Sequence, residues 1–245
     1  LCLMGKNCAK KSGSHNQIII LFQFLCIGLS AQVVDADLLK VKNRLDSILS
    51  FSTQLKLEVD ISFINMPVKK AQMFYTKGKR VKFSSDDFVM LPKRGLDFSL
   101  NSLLEYSFIT VDRGVEMRNG KTYKAINIIP TDKRADFSIA TVLIDTKLKR
   151  VMETEINTKK DGTYLLTLQY NTEAKILPDI VIVNFEIEKI RIPINFMGKD
   201  TELDRKKMKA AGTKTGAIYL TMSNFQIKSV RSEERRVGKE CLRLC

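Results

Sequence analysis

TQLKLEVDISFINM, residues 53–66, is the stretch whose reading decides the fold class. Leu55, Leu57, Val59, Ile61 and Phe63 are apolar, and Gln54, Lys56, Glu58, Asp60 and Ser62 between them are polar. Successive side chains of a strand point to opposite faces, so this period of two predicts a sheet with one oily and one wet face. The same signature recurs in KKAQMFYTK (69–77), KRVKFSS (79–85), FVML (88–91), SFITV (107–111) and VEMR (115–118). It continues in KTYKAINII (121–129), DFSIATVLID (136–145), KRVMETEIN (149–157), TYLLTLQY (163–170), DIVIVNFEIEKIRI (179–192) and GAIYLTMSNFQIK (216–228). Gly78, Asp86-Asp87, Asp145 to Lys149 and Asp161-Gly162 mark hairpin-length turns between them. Strands in sequence order with short turns predict an antiparallel meander, and so many strands curl rather than stay flat. The fold class is therefore mainly β (α+β), an antiparallel open or half β-barrel of about eleven strands.

Helical spacing is confined to a few places. Val34, Leu38, Val41, Leu45 and Ile48 repeat at steps of 4, 3, 4 and 3, which predicts one oily stripe on a helix of about four turns ending near Ser50. Asp35 and Asp37 occupy its favourable first turn, and Lys40, Lys42 and Arg44 its wet side. This amphipathic helix is expected to lay its stripe on the concave face. LDFSLNSLLEYS (96–107) is expected to hold a helical turn. PINFMGKDTELDRKKMKAAGTKT (193–215) is long, basic and poor in β formers. It predicts a short helix over 201–211, with Thr201 and Asp204 as capping pair, in an insertion that is either disordered or functional; with the first helix it is a candidate lid.

The two ends read differently from the middle. Lys6, Lys10 and Lys11 precede an apolar run from Ile18 to Leu29, broken by Gln23 and followed by Ser30 and Ala31. That order predicts a cleaved signal peptide over 1–31 and export to the periplasm, with residues 1–3 ahead of the first Met untranslated. RSEERRVGKECLRLC (231–245) lacks the alternation and resembles a read-through tail, so 229–245 is set apart. One domain, 32–228, remains. Cys2, Cys8, Cys26, Cys241, Cys245 and His15 are all the cysteines and histidines of the chain, and all lie outside it. A disulfide framework, a thiolate or imidazole metal site, and Ser-His-Asp or Cys-His catalysis are thereby excluded for the domain, and no cofactor is expected. The formal charge is +14; the leader's three lysines and the tail's surplus of two basic residues leave +9 on 32–228. Such a surplus favours anionic partners such as membrane surfaces or acidic proteins. Nucleic acid is not expected, because the basic residues are scattered on strands without a helix-turn-helix or zinc-finger pattern.

Chemical motifs are weak. NGKT (119–122) invites a phosphate-loop reading, but Gly114 lies at the wrong spacing and strands flank the motif, so a hairpin turn is the reading. Glu153 with Glu155, and Glu186 with Glu188, share sheet faces, yet basic neighbours and the absence of an implied pocket make them a solvated face. No spacing singles out a catalytic residue, and no enzyme is expected. The oily face either fills itself or accepts a guest. About eleven strands against one helix is more wall than filling, which favours a guest.

The order of helix, long alternating strand, KGKRVKFSSDDFVMLP, and then INIIPTDKRADFSIATVLIDTKLKRVMETEINTKKDGTYLLTLQY resembles the LolA/LolB family of lipoprotein carriers. The matching elements of the later block are Ile129-Pro130, Leu143-Ile144-Asp145 and Gly162. The resemblance implies an open antiparallel half-barrel lidded by helices, whose interior takes acyl chains. It implies a periplasmic carrier, without chemistry of its own, that ferries lipoproteins or lipids to the outer membrane. It also implies an inner-membrane release complex and an outer-membrane acceptor as partners, and a monomer is expected. The lipid-facing candidates are Leu38, Val41, Leu45, Leu55, Leu57, Val59, Ile61, Phe63, Phe83, Ile182, Phe185, Ile218 and Leu220. Lys77, before Gly78, stands where such carriers have an arginine that latches the lid, and a lysine is a point charge rather than a fork. The alternative is an envelope β domain with a self-filled core that docks to a partner or senses lipid.

Overall fold

The computed structural model describes residues 34–79, 81–85, 100–188 and 200–230. The first helix, α1, spans Ala36–Asp46. Strands β1 (Ile48–Asp60), β2 (Ile64–Asn65), β3 (Lys69–Thr76) and β4 (Lys82–Ser84) follow, then the single turn α2 (Leu100–Leu103). Strands β5 (Phe108–Arg118), β6 (Lys121–Pro130), β7 (Phe137–Asp145), β8 (Arg150–Thr158), β9 (Gly162–Gln169) and β10 (Ile180–Ile187) come next. The series closes with β11 (Glu202–Leu203), α3 (Arg205–Ala210) and β12 (Lys214–Ser229).

Ten strands form one antiparallel sheet in the order β4-β3-β1-β12-β10-β9-β8-β7-β6-β5. Among the described residues the two outermost strands, β4 and β5, have no ladder with each other, so the sheet is open. From β5 to β10 it is the expected meander. The last strand, β12, then inserts between β10 and β1, pairing Leu57 with Leu220 and Val183 with Ile218. The early hairpin thus joins the meander through the late strand. β2 and β11 form a separate two-stranded ribbon. The open antiparallel sheet that the resemblance implies, and the amphipathic helix on its apolar face that the 3–4 spacing predicts, are both observed.

Several expectations need correction. The helix stops after three turns, at Asp46, rather than near Ser50, because Ser47 Oγ donates to Arg44 O at 2.7 Å and Ile48 already pairs with Ser229 in the sheet. The alternation of 53–66 does not run as one strand: the chain turns after Asp60, and Ile64 N–H donates to Ile61 O at 2.9 Å. The segments 107–111 and 115–118 are one strand, β5, interrupted by a bulge between Asp112 and Val115. At that bulge Gly114 N–H donates to Asp112 Oδ1 at 2.7 Å. FVML (88–91) and residues 189–199 lie outside the described residues. The NGKT segment is a hairpin turn between β5 and β6, with Asn119 and Gly120 at φ 50° and 74°. Gly162 opens β9 at φ 125°, and a Cβ there would meet Glu186 O at 2.2 Å, which only glycine avoids.

Candidate functional site

The sheet face toward α1, the inner face, has two halves of different construction. The first half lies on β6 to β10. Leu38 and Val41 of α1 are 0% and 1% exposed and join one cluster with Leu100 and Leu103 of α2 and with Ile126, Ile128, Val142, Ile144, Ile156 and Val183. Leu45 packs at its margin. The helix stripe is thus spent on filling this half, and burial of Leu38 and Val41 stabilises it by about 3–6 kcal/mol.

The second half lies on β3, β1 and β12. Leu55, Leu57, Ala71 and Leu220 form its buried centre, ringed by the half-buried Val59, Met66, Phe83, Val181, Ile218 and Met222. Among the described residues no helical side chain enters this cluster. Phe51 and Tyr75, in phase with Leu55 and Ala71, stack at 5.1 Å, and Phe225 lies 6.0 Å from Phe51. Burial, with the Asp46 carboxylate second, raises the Tyr75 phenol above its ordinary value. Ile61, Phe63 and Phe185 form an adjoining cluster with Ile64 and Ile187, against which Met208 of α3 and Leu203 of β11 pack.

Ile182 does not share this face. It stands three positions from Phe185 in a continuous ladder, and Val181, Val183 and Phe185 are the inward residues of β10. Odd separations along a strand change faces, so Ile182 and Phe185 are never neighbours on one side.

The helix is tied down by charge at both ends. Lys124 of β6 donates to Asp35 Oδ2 at 2.7 Å and Asp37 Oδ2 at 3.0 Å, and pairs with Asp112 at 3.3 Å. Hydrogen bonding to Asp35 leads the causes that hold its ammonium well above the ordinary lysine range. Asp35 is also the N-cap, its Oδ1 accepting from Asp37 N–H and Leu38 N–H at 2.8 and 3.1 Å. At the other end Arg44 donates to Leu148 O, and to Ala174 O and Lys175 O at 3.3 Å each. Lys77 lies there as well: its Nζ donates to Asp46 O at 2.7 Å, on an exposed side chain. A lysine at a helix C-terminus meets unpaired carbonyls and the negative end of the dipole, which is the contact a single point charge makes well.

Two inward-facing lysines escaped the sequence reading, and one pattern would have found both. Lys124 is in phase with the buried Ile126 and Ile128, and Lys69 with Ala71. A charge in an apolar row needs a partner. Lys69 finds the carboxylate of Asp200, which it holds below the usual carboxylate range. The carboxylate pairs sit elsewhere: Glu155 and Glu186 are exposed, and Glu153 faces Arg118 at 3.5 Å. No group of three or more potential metal ligands occurs among the described residues.

No protein-family model matches the chain, and no curated protein matches its sequence. Solved structures give similarities of shape. A domain described as outer membrane lipoprotein-sorting, from Vibrio parahaemolyticus, matches at TM-score 0.44 and 14% identity, covering 79% of this chain and 92% of that one. A LolA superfamily protein from Nitrosomonas europaea matches at 0.45 and 8%, covering 81% and 96%. A DUF1329 family protein from Desulfovibrio piger matches at 0.47 and 11%, covering 79% and 92%. At TM-scores of 0.47 and below, these similarities say nothing of what this chain binds.

Proposed function

We propose that the chain is a periplasmic carrier that binds the acyl chain of a lipoprotein or lipid on the β3-β1-β12 half of its inner face and delivers it toward the outer membrane without chemistry. The observation behind this reading is the division of the inner face. Among the described residues the one helix of more than two turns is committed to β6–β10, while Leu55, Leu57 and Leu220 are centred in a cluster made from strands and ringed by half-buried side chains. Methionines such as Met66 and Met222 on that ring adapt to guests of varying shape. The candidates Leu55, Leu57, Val59, Phe83, Ile218 and Leu220 form this surface; Ile61, Phe63 and Phe185 continue it under α3. Leu38, Val41 and Leu45 are assigned to the fixed half.

The energetics suit a carrier. Burying an acyl chain yields about 0.8 kcal/mol per methylene, or on the order of 12 kcal/mol for sixteen carbons. Two or three chains fully buried would exceed the ceiling of noncovalent affinity, about 18–21 kcal/mol, and the cargo would never leave. Partial burial of the cargo, with a segment that competes for the same apolar side chains, keeps release possible. The segment 200–210 fits that role: it is held by a two-residue ladder, by Asp204 N–H to Phe63 O at 2.9 Å, by the Lys69–Asp200 pair and by Leu203 and Met208 on the Ile61, Phe63 and Phe185 cluster. Export by the leader over 1–31, a release complex and an outer-membrane acceptor belong to the same proposal.

Native mass spectrometry of the chain purified from the periplasm of an expressing bacterium tests the reading. Near-stoichiometric acyl lipid or lipoprotein supports it. A clean protein mass that persists after incubation with phospholipid and lipoprotein supports the second reading, a docking domain. One observation favours that second reading: among the described residues no strand pairs with the outer edge of β5, which exposes Val115 and Met117 at 71% and 70%, the profile of an edge that accepts another strand.

A further inference from the structure

Lys69 is an unusual residue for its position. It opens β3 directly opposite Leu57 and two positions before Ala71, in the row that lines the apolar half of the inner face. Its side chain is 2% exposed, among the most completely buried in the protein. A lysine is almost never buried to this extent without a partner, because the ammonium loses its hydration. The partner is Asp200, both of whose carboxylate oxygens accept from Lys69 Nζ. Asp200 is itself 54% exposed. It stands just before β11, on the segment that also carries α3 and lies outside the ten-stranded sheet. The cation is therefore fixed to the ten-stranded sheet at the end of an apolar row, and the anion facing it belongs to a segment outside that sheet.

We propose that Lys69 is the headgroup anchor for an anionic amphiphile, and that the Asp200 carboxylate occupies the headgroup position when no ligand is present. The ligand class is a single-chain lipid ending in a carboxylate, whose tail lies along Leu57, Leu55 and Leu220. A carboxylate from outside replaces a carboxylate from within, so the ammonium is never left unpaired in an apolar setting. Displacement of Asp200 also frees the 200–210 segment, which couples ligand entry to lid release. This inference rests on the acyl-binding reading above and adds a polarity requirement that the reading lacks.

The experiment compares a fluorescent fatty acid, cis-parinaric acid, with its methyl ester, on the full chain at neutral pH. Wild type is expected to prefer the acid. Lys69→Met, which keeps the stem's volume and removes the charge, is expected to weaken the acid by tenfold or more and leave the ester within twofold. Lys69→Arg is expected to retain the preference, and circular dichroism of all variants checks folding. Asp200→Asn is expected to tighten the acid severalfold, because the internal competitor is gone, and leave the ester unchanged. An acid-to-ester ratio untouched by Lys69→Met, or acid binding weakened by Asp200→Asn, overturns the anchor while leaving acyl binding standing. Binding of neither probe to wild type or to Asp200→Asn overturns the acyl-binding reading, and the anchor falls with it.

Discussion

Replacing Lys124 by Met removes the one cation among the described residues that Asp35, Asp37 and Asp112 share at the start of the helix. The Lys124 side chain is 19% exposed and those of Asp35 and Asp37 are 12% and 24% exposed, so the site lies between a surface pair and a buried one. Surface pairs contribute about 0–1 kcal/mol, and breaking a buried pair costs about 3–5 kcal/mol. A loss of about 2 kcal/mol follows, which in a domain of this size lowers Tm by about 4–8 °C. The pH dependence carries the sharper test. Asp37 is held below its ordinary value by hydrogen bonds from Lys40 first and Lys124 second, and Asp112 by the Gly114 N–H first, with Lys124 contributing. A lowered carboxylate stabilises the fold above its unfolded value near 4, and that contribution is lost as pH falls through the folded value. Lys124 is raised, so its contribution is complete below its unfolded value of 10.5 and is lost only at higher pH. Urea unfolding followed by circular dichroism is therefore expected to show a wild-type advantage that is flat from about pH 5 to 9 and shrinks below about pH 4. Equal stability of the two proteins at pH 7, or an advantage that persists undiminished at pH 2.5, would refute a stabilising role for the Lys124 ion cluster.

Gly162→Ala places a methyl group 2.2 Å from Glu186 O at φ 125°, and a loss of at least about 2 kcal/mol in urea unfolding is expected. Leu38→Ala empties a position with 0% exposure under α1 and is expected to cost about 2–5 kcal/mol by the same assay. Met222→Glu sets a charge on the half-buried ring of the second cluster; fluorescence titration with an acyl probe is expected to show at least tenfold weaker binding, with Tm changed by less than about 4 °C. Lys77→Ala withdraws an exposed donor from Asp46 O and is expected to cost under about 1 kcal/mol, well below Lys124→Met.

Alternation made most of the sheet legible, because a period of two survives any tertiary arrangement. The turns at Asn119-Gly120 and Asp161-Gly162 were legible for a backbone reason, since both glycines sit at positive φ. The insertion of β12 beside β1 was not, because pairing between the two ends of a domain leaves no local signature. The early end of α1 escaped for a related reason: Ile48 continues the helical spacing, and the long-range pair with Ser229 decides the matter. In the site, the inner row Leu55, Leu57, Val59 could be read directly, whereas assigning Ile182 with Phe185 broke the parity rule that had found the strands. The division of the inner face was invisible, since it depends on where α1 lies down. Lys69 and Lys124 were present in the pattern as charges in apolar rows, but their partners, Asp200 and Asp35, come from distant segments.

The most direct test of the central claim is photocrosslinking with a diazirine-bearing fatty acid, followed by peptide mass mapping of the full chain. The account predicts adducts on β1, β3 and β12, centred on Leu55, Leu57, Ala71, Leu220 and Met222. Adducts confined to α1 and β6–β9, or labelling no greater than that of a denatured control, would contradict it.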